Sequence, residues 1–122
     1  MTIHFNPLKL KTIPEKLYHY THKDNLREIY LNRKLKSNIV NEVYLTPTLL
    51  DAKKFALIYS DLNNIDLDNY VVLSFRTKDT NIDIENLSIS IDHNKEAFLG
   101  AEALVYDGDI HICQNGLDVY SI

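Results

Sequence analysis

Two stretches of the chain share one pattern: a short run of aromatic and β-branched residues that passes directly into apolar residues at helical spacing. The first is Leu17-Tyr18-His19-Tyr20-Thr21, which reads as a strand. Thr21-His22-Lys23-Asp24 then has the form of a capping box, and Leu26, Ile29 and Tyr30 follow on one face, so a helix is expected from about Asp24 to Lys34. The second is Val43-Tyr44-Leu45-Thr46, after which Pro47 holds Thr46 extended. Thr48-Leu49-Leu50-Asp51 repeats the capping pattern, and Ala52, Phe55, Ala56 and Tyr59 line one side of the helix that follows.

Beyond these units the spacing changes. Asn69 to Arg76 is a strongly β-branched and aromatic run bounded by polar loops, expected as a central strand. Shorter strands are expected at Leu87–Ile91, Ala103–Tyr106, Asp109–Cys113 and Val119–Ile122, with Asp/Gly and Asn/Gly turns between them. All three glycines fall in the last quarter, none in a Gly-rich phosphate loop, so a Rossmann arrangement is not expected. The pattern predicts an α+β protein with two helices in its N-terminal half and a split antiparallel β core of about six strands.

Composition adds bounds. At 122 residues, 45 % apolar and 25 % charged, the chain is expected to form one domain over residues 1–122. Cys113 is the only cysteine, expected as a buried strand thiol; it excludes an intramolecular disulfide, and there is no Cys/His cluster with zinc spacing. Met1 to Pro14 has no continuous apolar stretch of the kind a signal peptide needs, and no segment approaches a membrane span. A cytoplasmic location, or delivery into a target cell without a cleaved signal, is the expectation. The net charge of −4 gives no bulk attraction for a polynucleotide, but it is unevenly spread. Residues 1–40 carry eight Lys/Arg against three Asp/Glu, and residues 41–122 five against fourteen. The basic third suits either a phosphate-bearing ligand or a solvated face that balances the acidic remainder.

A strand that feeds a helix N-terminus aims backbone N–H groups and a positive dipole end at one point. Two such units side by side would frame a cleft. The stretch LYHYTHKDNLREIYLNRKL resembles the opening of DarT-type DNA ADP-ribosyltransferases. VYLTPTLLDAKKFA is similar to the second motif of the wider ADP-ribosyltransferase superfamily, which includes rifamycin-modifying transferases and small His-Tyr-Asp toxins, and AEALVYD resembles the Glu-bearing catalytic strand. The three occur in the superfamily's order and span residues 17–107.

The resemblance implies NAD as substrate and a role for each matching residue. His19 would hydrogen-bond the ribose 2′-hydroxyl beside the adenine, as a neutral imidazole can, or else be a satisfied strand histidine. The backbone of Tyr20 would hold the nicotinamide carboxamide. Tyr44 would lie against the nicotinamide ring, with Phe55 either on its other side or in the core. Thr21 and Thr46, at the exits of the two strands, complete the expected NAD-binding set. Where polymerase-type relatives carry a carboxamide-binding serine, this chain has Ala52, leaving Thr46 or Thr48 as substitutes, or no side-chain contact. Glu102 is favoured as the catalytic carboxylate, with Asp83 and Asp107 as alternatives. The loop before it, including His93 and Phe98, would meet the acceptor or anchor the sheet.

The expected function is NAD-dependent ADP-ribosyl transfer by a toxin or phage-conflict effector acting on a macromolecular acceptor, nucleic acid or protein, with an antitoxin as a further partner and no membrane association. NAD glycohydrolysis uses the same residues, and a catalytically silent nucleotide- or partner-binding module is the alternative from another class.

Overall fold

The run predicted as a central strand is buried on both faces. In the computed structural model, which describes residues 8–90, 99–113 and 116–122, it forms β5 (Tyr70–Arg76), with every residue from Tyr70 to Phe75 buried. Its neighbours are β2 (Lys16–His22) and β9 (Leu117–Ser121), both antiparallel, giving the order β2-β5-β9. One face of this sheet takes helix α2 (Leu49–Leu62), whose inward residues Ala52, Phe55, Ala56 and Ser60 are buried. The other face contributes Leu17, Val71, Leu73 and Phe75 to the main core.

A second antiparallel sheet has the order β1-β6-β7-β4, from β1 (Leu8–Lys9), β4 (Glu42–Leu45), β6 (Leu87–Ile89) and β7 (Leu104–Asp107). Val43, Leu45, Leu87, Leu104 and Tyr106 pack from it into the same core. Helix α1 (Leu26–Asn32) adds Ile29, and a two-stranded ribbon of β3 (Lys34–Leu35) and β8 (Ile110–His111) adds Leu35 and Ile110. The protein is thus a small α+β fold with two α-helices and antiparallel sheets among the described residues. No helix among them is long and apolar enough to cross a membrane.

The two larger sheets meet at one rung. Tyr18 and Thr46 form an isolated bridge, with Tyr18 N–H to Thr46 C=O at 3.0 Å and Thr46 N–H to Tyr18 C=O at 2.8 Å. Beyond it β2 runs on along β5, while Pro47 and the start of α2 turn the other chain away.

Local signals explain most element ends. Thr48 is the N-cap of α2, its side chain accepting from Asp51 N–H at 3.1 Å, as the pattern predicted. The first cap differs. Strand β2 runs through Thr21 to His22, so the capping side chain is His22, which accepts from Asp24 N–H and opens a 3₁₀ turn at Lys23–Asn25 before α1. Thr21 Oγ1 instead accepts from Asn25 Nδ2 at 3.0 Å. Helix α1 stops short of Lys34 because Arg33 turns left-handed (φ 51°) and Lys34 enters the ribbon with β8. Cys113 is exposed rather than buried: β8 ends at His111, and Ile112, not Cys113, faces inward. Ile91, the expected end of β6, lies outside the described residues. The short strands β1 and β3, two residues each, were not foreseen.

The loop after β3 is fastened to the β7–β8 turn by Asp109. Its Oδ1 accepts from both N–H and Oγ of Ser37 at 2.7 Å, and Lys34 Nζ stands 3.5 Å from Oδ2. These bonds hold the Asp109 carboxyl below its ordinary range, chiefly through the Ser37 N–H. Their contribution is present at neutral pH and lost on acidification.

Two substitutions separate capped from idle hydroxyls. Thr48→Ala should lower unfolding free energy by about 1 kcal/mol through loss of the α2 cap. Ser74 Oγ is buried with no hydrogen-bond partner among the described residues, so Ser74→Ala should be close to neutral or stabilising. Urea denaturation of the two variants beside the parent chain checks both.

Candidate functional site

The cleft opens where β2 and β4 part. In an antiparallel pair the rung after Tyr18–Thr46 would join Tyr20 to Tyr44. That rung is not formed. The Tyr44 carbonyl is taken by a side chain, accepting from His19 Nδ1 at 2.7 Å. On β2 the alternation of backbone groups sends those of His19 toward β5 and those of Tyr18 and Tyr20 toward β4. The N–H and C=O of Tyr20 therefore face the gap, and no backbone hydrogen bond to either is present among the described residues.

The chemistry of His19 follows from its partner. A carbonyl oxygen only accepts, so Nδ1 carries the proton and Nε2 of the neutral ring is an acceptor. Burial lowers the pKa of His19 from its ordinary value, with the Tyr44 bond acting weakly the other way. The ring is neutral at pH 7, a hydroxyl-binding state.

Two cavities share His19 as a wall. One, of about 260 Å³, is largely aromatic, with Tyr18, Tyr20, Tyr44, Phe55 and Tyr59 beside Thr46 and Ala103. The other, of about 310 Å³, is mixed, with the polar side chains of Thr21, Asn25, Glu28, Asn32, Lys36 and Ser37 over an apolar floor of Ile29 and Leu35. An apolar chamber and a hydrogen-bonding chamber thus meet at one imidazole.

Inside the aromatic chamber the rings already contact one another. Tyr20 is near-parallel to Tyr59 (centroids 5.8 Å, 10°) and Phe55 (6.4 Å, 11°) and tilted against Tyr70 (6.2 Å, 52°). Burial, reinforced by the neighbouring Tyr59 and Tyr70, pushes the Tyr20 hydroxyl well above its ordinary pKa, and it stays neutral. Phe55 is 2 % exposed and packs with Ala101 and Ala103. Tyr44 is half-buried and donates from its hydroxyl to Glu42 Oε1 at 3.1 Å. The Thr46 hydroxyl donates to Thr48 C=O at 2.8 Å, and Ala52 is fully buried.

The three acids lie in different places. Asp83 is exposed and caps a 3₁₀ turn at Ile84–Asn86, accepting from Asn86 N–H and Nδ2. Asp107 is exposed at the far end of β7 and accepts from Asn41 Nδ2 at 2.9 Å. Glu102 is half-buried and directly precedes Ala103, a wall of the aromatic chamber, at the end of β7 nearest Thr46. His93 and Phe98 lie outside the described residues. Tyr59, Asn25, Glu28 and Asn32 were missed as lining residues. Helical spacing carried that signal: Tyr59 is four positions after Phe55, and Glu28 and Asn32 are four apart.

Because folding holds His19 neutral, it contributes stability that is complete above pH ~6.5 and falls away as the pH drops below that value. The unfolding free energy of the parent chain should decline with acidification more steeply than that of His19→Asn, whose amide still donates to Tyr44 but does not titrate. Equal slopes between pH ~7 and ~4.5 would exclude a neutral His19 in this bond.

No protein-family model matches the chain, and comparison with curated proteins gives no match.

Proposed function

We propose that the protein is an NAD-dependent ADP-ribosyltransferase that uses the β2–β4 fork as its nucleotide cleft. One observation carries this reading: the open peptide group of Tyr20 lies beside a neutral, acceptor-state His19 where an aromatic and a mixed chamber meet. A carboxamide offers one donor and one acceptor, which is what the missing Tyr44 rung would have offered Tyr20. NAD joins such a flat amide-bearing ring to a hydroxyl-rich nucleoside, so its two ends match the two chambers in kind.

In the proposed reaction Tyr20 and Tyr44 fix the nicotinamide while His19 Nε2 accepts from a ribose hydroxyl. The C1′–N bond then breaks, its electron pair leaving with nicotinamide, and an acceptor nucleophile forms the new bond to C1′ and gives up its proton. Glu102 stabilises the oxocarbenium-like ribose in between. Of the three acids Glu102 lies nearest the chamber, directly before its wall residue Ala103, whereas Asp107 is remote and Asp83 caps a turn; because the alanines take the side facing Phe55, the carboxylate must turn toward the gap to reach the ribose.

The test is release of nicotinamide and transfer of label from NAD in a cell lysate, followed by separate nuclease and protease digestion of the product. Tyr44→Ala should weaken NAD binding by about 1–2 kcal/mol through lost stacking. Glu102→Gln should lower turnover about 10²–10³-fold with little change in NAD affinity, because the lost interaction belongs to the transition state. Normal turnover in Glu102→Gln with loss in Asp83→Asn or Asp107→Asn would move the acid. Release of free ADP-ribose without a labelled macromolecule would mean that water is the acceptor. Failure of the chain to bind NAD would end the reading.

A further inference from the structure

The walls of the aromatic chamber share one electrostatic sign. Tyr18, Tyr20, Tyr44, Phe55 and Tyr59 supply most of them, and among the described residues no wall is Lys or Arg. His19, its one imidazole, is neutral. The face of an aromatic ring is the negative end of its quadrupole. Such a chamber attracts a cation, and it holds a neutral guest of the same shape by contact and stacking alone.

Carboxylates border the same space. Glu42 Oε1 accepts from the Tyr44 hydroxyl at 3.1 Å, which draws the phenolic proton toward a negative charge and leaves that ring richer in electrons. Glu102 directly precedes the wall residue Ala103, and Asp51 opens the helical stripe that continues through Phe55 and Tyr59. Among the described residues none of these three acids takes part in an ion pair. The lysines nearest in sequence do not reverse the sign. Lys16 is exposed at the start of β2, Lys53 lies off the Phe55–Tyr59 stripe, and Lys54 Nζ donates to the Leu99 carbonyl at 3.1 Å.

We infer that the chamber selects a planar aromatic cation over its neutral counterpart, and that Glu42, acting through the Tyr44 hydroxyl, determines this preference. The choice of a pyridinium as that cation rests on the nucleotide reading above. The nicotinamide ring of NAD carries a positive charge, whereas that of the reduced nucleotide and of free nicotinamide does not. The chamber therefore tells the oxidised nucleotide from the reduced one. It also loosens its hold as the C1′–N bond breaks, because the electron pair moves to the ring nitrogen and the ring becomes neutral. Glu42 meets the ring only by way of Tyr44, so it is a specificity-determining residue and not a catalytic one.

Nicotinamide and its ring-N-methylated cation share a ring and a carboxamide and differ in charge, which makes them the probes. Titrated into the full chain and followed by amide chemical shifts, the cation should bind about 3- to 30-fold more tightly, the span of a cation–π contact from exposed to desolvated settings. Glu42→Gln keeps an acceptor for the Tyr44 hydroxyl and removes the charge. It should lower that ratio by about twofold or more while leaving the affinity for nicotinamide unchanged. Tyr44→Phe keeps the ring, breaks the same bond and should lower the ratio as well, so either variant tests the bond if the other unfolds. A merely structural Glu42 would weaken both probes alike. Equal affinity for the two probes, a preference for nicotinamide, binding of neither, or a ratio unchanged in the variants would overturn the inference. The nucleotide reading fails separately. A chain that prefers the methylated cation but does not bind NAD keeps the cation site and loses that reading; one that releases nicotinamide from NAD yet binds the two probes alike keeps the reading and loses this inference.

Discussion

A single backbone rung joins the two large sheets, and the cleft exists because the next rung is not made. Tyr18 and Thr46 exchange both their hydrogen bonds, after which the strands separate within two residues. An exposed pair of unmade bonds at a sheet junction invites closure, and closure here would erase the site. The imidazole of His19 prevents it by occupying the Tyr44 carbonyl at 2.7 Å. A lysine or arginine there would add a charge, and a serine would be too short. The ring satisfies the acceptor while leaving a nitrogen for something else.

The remaining architecture keeps that junction rigid. β5 is buried on both faces, so β2 is anchored along its whole length by pairing from Lys16–Arg76 to His22–Tyr70. β4 is fixed from its other edge by β7, with Leu45 against Leu104. The main core lies below the fork, uniting residues of both sheets, α1 and the ribbon, while the smaller cluster around Phe55 braces α2 above it. Two apolar cores on either side of a polar seam give firm walls without filling the space between.

Much of this was legible along the chain. The two strand-to-helix units, the Thr48 cap and the central strand appear because each is written in local spacing, and α2 has its inward face at the expected residues. The alternation within β2 also shows that His19 and Tyr20 point to opposite faces. It does not show which strand lies across, and the opening of the fork depends on pairing between residues 18 and 46. For the same reason the short strands β1 and β3 were not foreseen: a two-residue strand has no period and exists only through its partner. Cys113 is exposed because alternation sends Ile110 and Ile112 into the core and leaves His111 and Cys113 on the outer side. Phe55 was identified as aromatic and inward, but its near-parallel contact with Tyr20 depends on how α2 sits across β2.

The approach to Glu102 also constrains how this chain can vary. Leu99 and Gly100 make consecutive left-handed turns, and the next three residues alternate as a buried methyl, a half-buried carboxylate and a buried methyl: Ala101, Glu102, Ala103. The side facing Phe55 carries the two alanines. A one-residue slip of this segment against its partners would exchange the two sides and press a carboxylate against a phenyl ring with no partner to offset its desolvation. The pairing that fixes the register of β7 therefore also fixes the side on which the carboxylate stands.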